Sequence, residues 1–209
     1  VIGFKPDVVH CHDWQTGLIP VYLKDRFRGG EFFSNMKSVM TIHNLKFQGV
    51  WDVKTIQRFS MLPDYYFTPD KLEAYKDGNM LKGGIVFADA VTTVSQTYAE
   101  EIKMPFYGEG LDGLMRARTN SLRGIVNGID YNEFNPATDT MIAQTYDART
   151  FRKEKVKNKR ALQEQLGLPV DDKKFMVGIV SRLTDQKGLD LIQAVMDELC
   201  AEDIQLVVL

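Results

Sequence analysis

Phe175-Met176-Val177-Gly178-Ile179-Val180 runs directly into Ser181-Arg182-Leu183-Thr184-Asp185-Gln186-Lys187-Gly188-Leu189-Asp190. The first six residues are an apolar run of strand length, as a buried strand requires. Leu189, Ile192, Val195, Met196 and Leu199 then recur at helical spacing. Strand, turn and helix in that order put the turn at the carboxyl edge of an α/β sheet, the edge where ligands bind. A helix amino end attracts anions through its unpaired N–H groups and its dipole. Arg182 and Lys187 add two cations there, and the combination reads as a clamp for a diphosphate. It points to a nucleotide or sugar-nucleotide substrate. On residue type alone the two cations read equally well as solvated surface charges; the strand before and the helix after favour a ligand.

The same alternation runs back along the chain. Strands are expected over Asp7–His10, Ser38–Ile42, Ala90–Val94, Leu122–Val126 and Ile204–Leu209. Helices are expected over Thr16–Phe27, Thr55–Phe59, Asp70–Tyr75 and Met80–Ala88. Two more run from a cap at Ser95 to about Lys103, and over Glu154–Leu166, the last closed by Gly167 and Pro169. Phe106–Leu114, with Gly108, Gly110 and Gly113, reads as a mobile loop. Strands alternating with helices predict parallel sheets with crossover helices. One α/β domain over residues 1–135, a connector over 136–172 and the start of a second domain over 173–209 follow from the polar stretch between Pro136 and Asp172.

The bulk numbers narrow the function classes. Of the 209 residues, 44% are hydrophobic and 26% charged, which is enough apolar material for a core. The formal net charge is −2, so no general basic field would recruit nucleic acid. No apolar stretch reaches the roughly 20 residues that span a bilayer. The opening, Val1-Ile2-Gly3-Phe4-Lys5-Pro6, has no basic start followed by a long apolar middle. Cys11 and Cys200 lie in apolar surroundings and read as small buried hydrophobes in a reducing cytoplasm. The absence of an initiator Met and the strand at the end read as a piece of a longer protein.

Four strand ends carry polar groups: His10-Cys11-His12-Asp13, His43-Asn44, Asn127-Gly128-Ile129-Asp130, and Arg182 with Lys187. Strands of one parallel sheet would gather such groups at its carboxyl edge. His-x-His after a strand is a metal arrangement, but the chain has only three histidines, too few without carboxylate help. His10 reads better as a packed, hydrogen-bonded core histidine. Asp13 has a competing role as a helix cap, and Asn127-Gly128, taken by itself, reads better as a turn than as a catalytic element. No Gly-x-Ser-x-Gly elbow, complete phosphate loop or Gly-x-Gly-x-x-Gly is present.

Taken together, these segments resemble the bacterial and plant glycogen/starch synthases, glycosyltransferase family 5. The resemblance spans nearly the whole chain. It rests on His10-Cys11-His12-Asp13-Trp14-Gln15, Thr41-Ile42-His43-Asn44-Leu45-Lys46-Phe47-Gln48-Gly49, Ile125-Val126-Asn127-Gly128-Ile129-Asp130 and Ser181–Asp190 in that order. Asp112-Gly113-Leu114 and Phe134-Asn135-Pro136-Ala137-Thr138-Asp139 fall between them. The resemblance implies a GT-B fold, two Rossmann-like domains with parallel sheets and flanking helices. It implies retaining transfer of glucose from ADP-glucose, the donor substrate, to the non-reducing end of an α-1,4-glucan acceptor, with no metal or other cofactor. Carried over by motif, Arg182 and Lys187 bind the donor diphosphate and stabilise the leaving charge. His43 lies beside the donor glucose, Asn44 and Asn127 line the sugar pocket, and Asp13 contacts the sugar or acceptor side.

Two elements of the family pattern have no counterpart here, an amino-terminal Lys-x-Gly-Gly-Leu segment and a carboxyl-terminal Glu with a Gly-rich stretch. These 209 residues alone are therefore expected to be inactive. Competing readings are a non-catalytic glucan- or nucleotide-binding module of the same fold and another GT-B enzyme, such as a sucrose synthase-like transferase or a phosphorylase. The aromatic-rich stretch Phe47–Phe67 is a candidate for stacking on sugar rings, against the alternative that it is core. Donor base preference and oligomeric state are not fixed by these residues.

Overall fold

The computed structural model describes residues 3–209; Val1 and Ile2, part of the opening read above, lie outside the described residues. The chain forms two compact units, one ending at Gly128 and the other running Ile129–Leu209.

In the first unit, strand β1 (Val8–His12) leads through a 3-10 turn at Trp14–Thr16 into helix α1 (Leu18–Lys24), followed by β2 (Lys37–Ile42). A small insertion follows: β3 (Val50–Trp51), α2 (Val53–Ser60), β4 (Glu73–Ala74) and β5 (Asp77–Asn79). Then come α3 (Met80–Phe87), β6 (Ala90–Thr93), α4 (Gln96–Glu101), α5 (Asp112–Ala117) and β7 (Leu122–Gly124). Strands β1-β2-β6-β7 form one sheet, all pairs parallel. The second unit holds α6 (Phe151–Gln165), β8 (Phe175–Ile179), α7 (Leu189–Ala194), α8 (Met196–Ala201) and β9 (Ile204–Val208), with β8 and β9 parallel. The α/β class with parallel sheets is as expected.

Alternation along the strands divides the first sheet's two faces. Cys11, Met40, Ile42 and Val91 point one way and are fully buried with Leu81, Ile85, Ile102 and Met115. His10, His12, Thr41 and Thr92 sit on the opposite face, with His12 paired to Thr41 and Thr41 to Thr92 in register. Three helices, α2, α3 and α4, start where a polar side chain takes up a free amide: Asp52 accepts from Thr55 N at 3.0 Å, Asn79 from Lys82 N at 2.8 Å and Ser95 from Tyr98 N at 3.3 Å. Helices α1 and α3 approach at glycine. A β-carbon on Gly17 would lie 2.1 Å from the Met80 carbonyl oxygen, and one on Gly84 would lie 3.0 Å from the Gly17 Cα.

Four expectations are corrected. Asp70–Tyr75 is not a helix; it turns into β4, the first arm of a two-residue hairpin to β5. Buried Lys82 causes this, since its ammonium takes the carbonyls of Pro69, at 2.5 Å, and of Glu73. Burial lowers the Lys82 pKa while Glu73 and Asp70 oppose that. Phe106–Leu114 is only partly loop, because α5 begins at Asp112. The helix expected from Leu189 is two helices, broken where Val195 N–H donates to Ile192 O, a three-residue step, at 3.2 Å. With Ile192, Met196 and Leu199 turned inward, Cys200 lies 100° further round and is exposed, contrary to the buried role expected for it. Cys11 is buried as expected.

The hairpin carries a backbone cost. Tyr75 (φ 54°) and Lys76 (φ 75°) are both left-handed, as a tight two-residue turn requires, and neither is glycine. Lys76→Gly should raise stability by roughly 0.5–1 kcal/mol, read from the urea midpoint. A lower midpoint would show that the Lys76 side chain, not its backbone, governs the turn.

Candidate functional site

The carboxyl edge of the first sheet gathers the ends of β1 and β2. Their register pairs His12 with Thr41, so Asp13 and His43 leave the sheet side by side. Asp13 N–H donates to Thr41 O at 3.0 Å, extending the ladder by one step. The Asp13 carboxylate does not cap the 3-10 turn that follows it. Its Oδ1 instead accepts the main-chain N–H of His43 at 2.8 Å, tying the two strand ends together. The Asp13 backbone, at φ 54° and ψ −170°, occupies a region essentially reserved for glycine. Strain of about 1–3 kcal/mol is typical of such residues, which cluster at functional sites.

His43 is exposed, and its Nε2 lies 3.0 Å from Nδ1 of His12. The His12 ring packs against that of His10, with centroids 4.2 Å apart. His10 is hydrogen-bonded, Nε2 to Thr41 Oγ1 at 2.6 Å, but it is exposed rather than the core residue expected. It stands on the open face of the sheet, opposite Cys11. Partial desolvation, then the positive charges His12 and His43 would carry, hold the His10 pKa below its ordinary value. Thr41 Oγ1 also meets Thr92 Oγ1 at 2.6 Å. No group of three or more His, Cys, Asp or Glu side chains is disposed to hold a metal ion among the described residues.

Asn44 continues from His43. Its Oδ1 accepts Lys46 N–H at 3.0 Å and its main-chain oxygen accepts Phe47 N–H at 3.3 Å, so the chain turns sharply here. Beyond that turn, Trp14, Phe47, Gln48, Val50, Trp51 and Glu109 help line an open hollow of about 490 Å³. Trp14 and Trp51 meet edge-on at 5.3 Å. Within the aromatic-rich stretch Tyr66 is core, while Phe47, Trp51, Phe59 and Tyr65 are exposed. Asn127 follows β7, is exposed, and has no side-chain hydrogen bond to another described residue.

In the second unit the chain leaves the carboxyl end of β8, with Ser181 N–H still donating to Leu209 O at 3.1 Å. Arg182 comes next. The 3-10 turn Asp185–Lys187 and left-handed Gly188 (φ 67°) then lead into α7. Arg182 and Lys187 are both exposed, and neither joins an ion pair among the described residues. The structure thus joins Asp13 to His43 on the first unit, and places Arg182 and Lys187 in the segment between β8 and α7 on the second. His12, which touches His43, was not singled out as a site residue by sequence reasoning. The signal that would have found it is that His12, Thr41 and His43 share one sheet face.

The family model for the starch synthase catalytic domain matches residues 1–117, more than half of the chain. The glycogen synthase of Lachnospira eligens is 70% identical over all 209 residues, which cover 44% of that protein. The glycogen synthase of Thermotoga maritima is 54% identical over 208 residues, 42% of its length. Among solved structures, the catalytic domain of Starch Synthase IV from Arabidopsis thaliana, bound to ADP and acarbose, aligns over 99% of this chain and 42% of its own. That alignment has a TM-score of 0.90 and 33% sequence identity. The chain therefore spans under half the length of the relatives it matches, and it belongs to the starch synthase catalytic domain family.

Proposed function

We propose that this chain serves a glycogen/starch synthase that transfers glucose from ADP-glucose to the non-reducing end of an α-1,4-glucan, with retention at the anomeric carbon and no metal. The observation that carries this reading is the exposed placement of Arg182 and Lys187 beyond the carboxyl end of β8, with neither in an ion pair among the described residues. The starch synthase relative that binds ADP supports a diphosphate as their ligand. As the glycosidic bond to the leaving diphosphate breaks, negative charge grows on the phosphate oxygens. Two cations held there stabilise that charge in the transition state more than in the ground state. His43 and Asn44 would flank the donor sugar, with Asn127 in the same pocket. Asp13 has Oδ1 engaged by the His43 amide, so Oδ2 is the oxygen left for a sugar hydroxyl.

A cytoplasmic site of action belongs to this reading, and the two unpaired cysteines agree with a reducing compartment. No helix among the described residues is long and apolar enough to cross a membrane. The deciding experiment incubates an intact synthase carrying these residues with ADP-glucose or UDP-glucose, with and without glycogen. Glucose incorporation that needs glycogen and proceeds faster from ADP-glucose is expected. Binding of glycogen without incorporation from either donor would replace this reading with the non-catalytic module.

A further inference from the structure

We propose that His12 is a positioning residue for His43, and that it commits Nε2 of the His43 ring so that Nδ1 is the ring atom offered to the ligand. This rests on the synthase reading above and deepens it. The geometry begins with the 3.0 Å approach of His12 Nδ1 to His43 Nε2. A hydrogen bond between two imidazoles needs one nitrogen bearing a proton and one bare, so the two tautomers are coupled and, whichever ring donates, the bond occupies His43 Nε2. With Nε2 engaged, Nδ1 is the remaining polar atom of the His43 ring.

His12 is well placed for this work because it is itself held on three sides. Its main-chain N–H donates to Thr16 Oγ1 at 2.7 Å, and that hydroxyl donates back to His12 O at 2.8 Å. Its ring rests on His10. His10 is pinned in turn by Thr41, and Thr41 by Thr92. A polar row thus crosses β1, β2 and β6 on the sheet's open face and ends at the His43 ring. The Asp13 carboxylate fixes the His43 main chain independently. His43 is therefore anchored twice, its backbone by Asp13 and its imidazole by His12.

Asparagine supplies the decisive variant. Its Oδ1 and Nδ2 are bonded to Cγ, as Nδ1 is in histidine, so His12→Asn keeps a donor or acceptor at the same reach and His12→Ala does not. Long-range ¹H–¹⁵N spectra of the chain with labelled histidine should show the His43 Nε2 resonance displaced by hydrogen bonding in the native protein and in His12→Asn. In His12→Ala they should show that resonance moved toward the position of a solvated imidazole. In an intact synthase, His12→Ala should lower kcat about 10-fold with little change in KM, and His12→Asn should recover to within about threefold of the native rate; orienting partners of ligating histidines have effects of this size. An unchanged His43 Nε2 resonance in His12→Ala, or equal kcat for the Ala and Asn variants, would overturn the proposal. If the native synthase transfers no glucose, the proposed function fails, while the spectra still decide the His12–His43 pairing.

Discussion

Lys187→Ala in an intact synthase is expected to lower kcat by about 10²–10³ while KM for ADP-glucose moves less than about threefold. The magnitude follows from the work one charge-stabilising donor does at a developing anion, roughly 3 kcal/mol. The split between kcat and KM follows from timing. The leaving phosphate gains charge only as the glycosidic bond stretches, so a fixed ammonium contributes mainly in the transition state. Lys187 suits that role because it is exposed and has no competing carboxylate partner among the described residues. It also lies on the short turn Asp185–Lys187 closed by left-handed Gly188, not on a long flexible loop. Steady-state kinetics at saturating glycogen decide the matter. A raised KM with native kcat would mean that Lys187 holds the ground state and transition state equally, and the leaving-group role would be lost.

Gly17→Ala should cost the first unit roughly 3 kcal/mol or more, the upper end of what overpacking does in close-packed interiors. The added methyl carbon would lie 2.1 Å from Met80 O, a main-chain atom that cannot swing aside as a side chain can. Relief therefore requires α1 and α3 to separate, and Leu18, Val21 and Met80, which share one buried cluster, would lose contact. A fall in Tm of roughly 10 °C corresponds to that cost. Gly84→Ala meets the same junction from the other helix, at 3.0 Å from the Gly17 Cα and 2.5 Å from Met40 Cε. A destabilisation below about 1 kcal/mol for Gly17→Ala, by urea unfolding, would mean that the helices have room the structure does not show.

Much of this architecture was legible in the sequence because it rests on local signals. The apolar runs at Ser38–Ile42 and Phe175–Val180 are strands within a residue or so, and the cap at Ser95 starts α4 where expected. The parallel pairing followed from strands alternating with helices. The hairpin at Glu73–Asn79 was not legible, because it depends on a buried ammonium nine residues away and on two left-handed residues that are not glycine. The site divides along the same line. Asp13, His43, Arg182 and Lys187 stand at strand ends, which motif and spacing reach. The Asp13 link to the His43 amide, and the His12–His43 contact, depend on the register between β1 and β2. That register is a pairing between two distant segments, and neither segment encodes it alone.

The bent main chain at Asp13 has a consequence for anyone who engineers the protein. Screens that reward heat tolerance alone would be drawn to glycine at this position, since it would relax a conformation that an aspartate endures. The same exchange would release the neighbouring strand end from the carboxylate that tethers it. Robustness and function pull this one residue in opposite directions, so hardened variants selected without an activity filter would tend to be disarmed there.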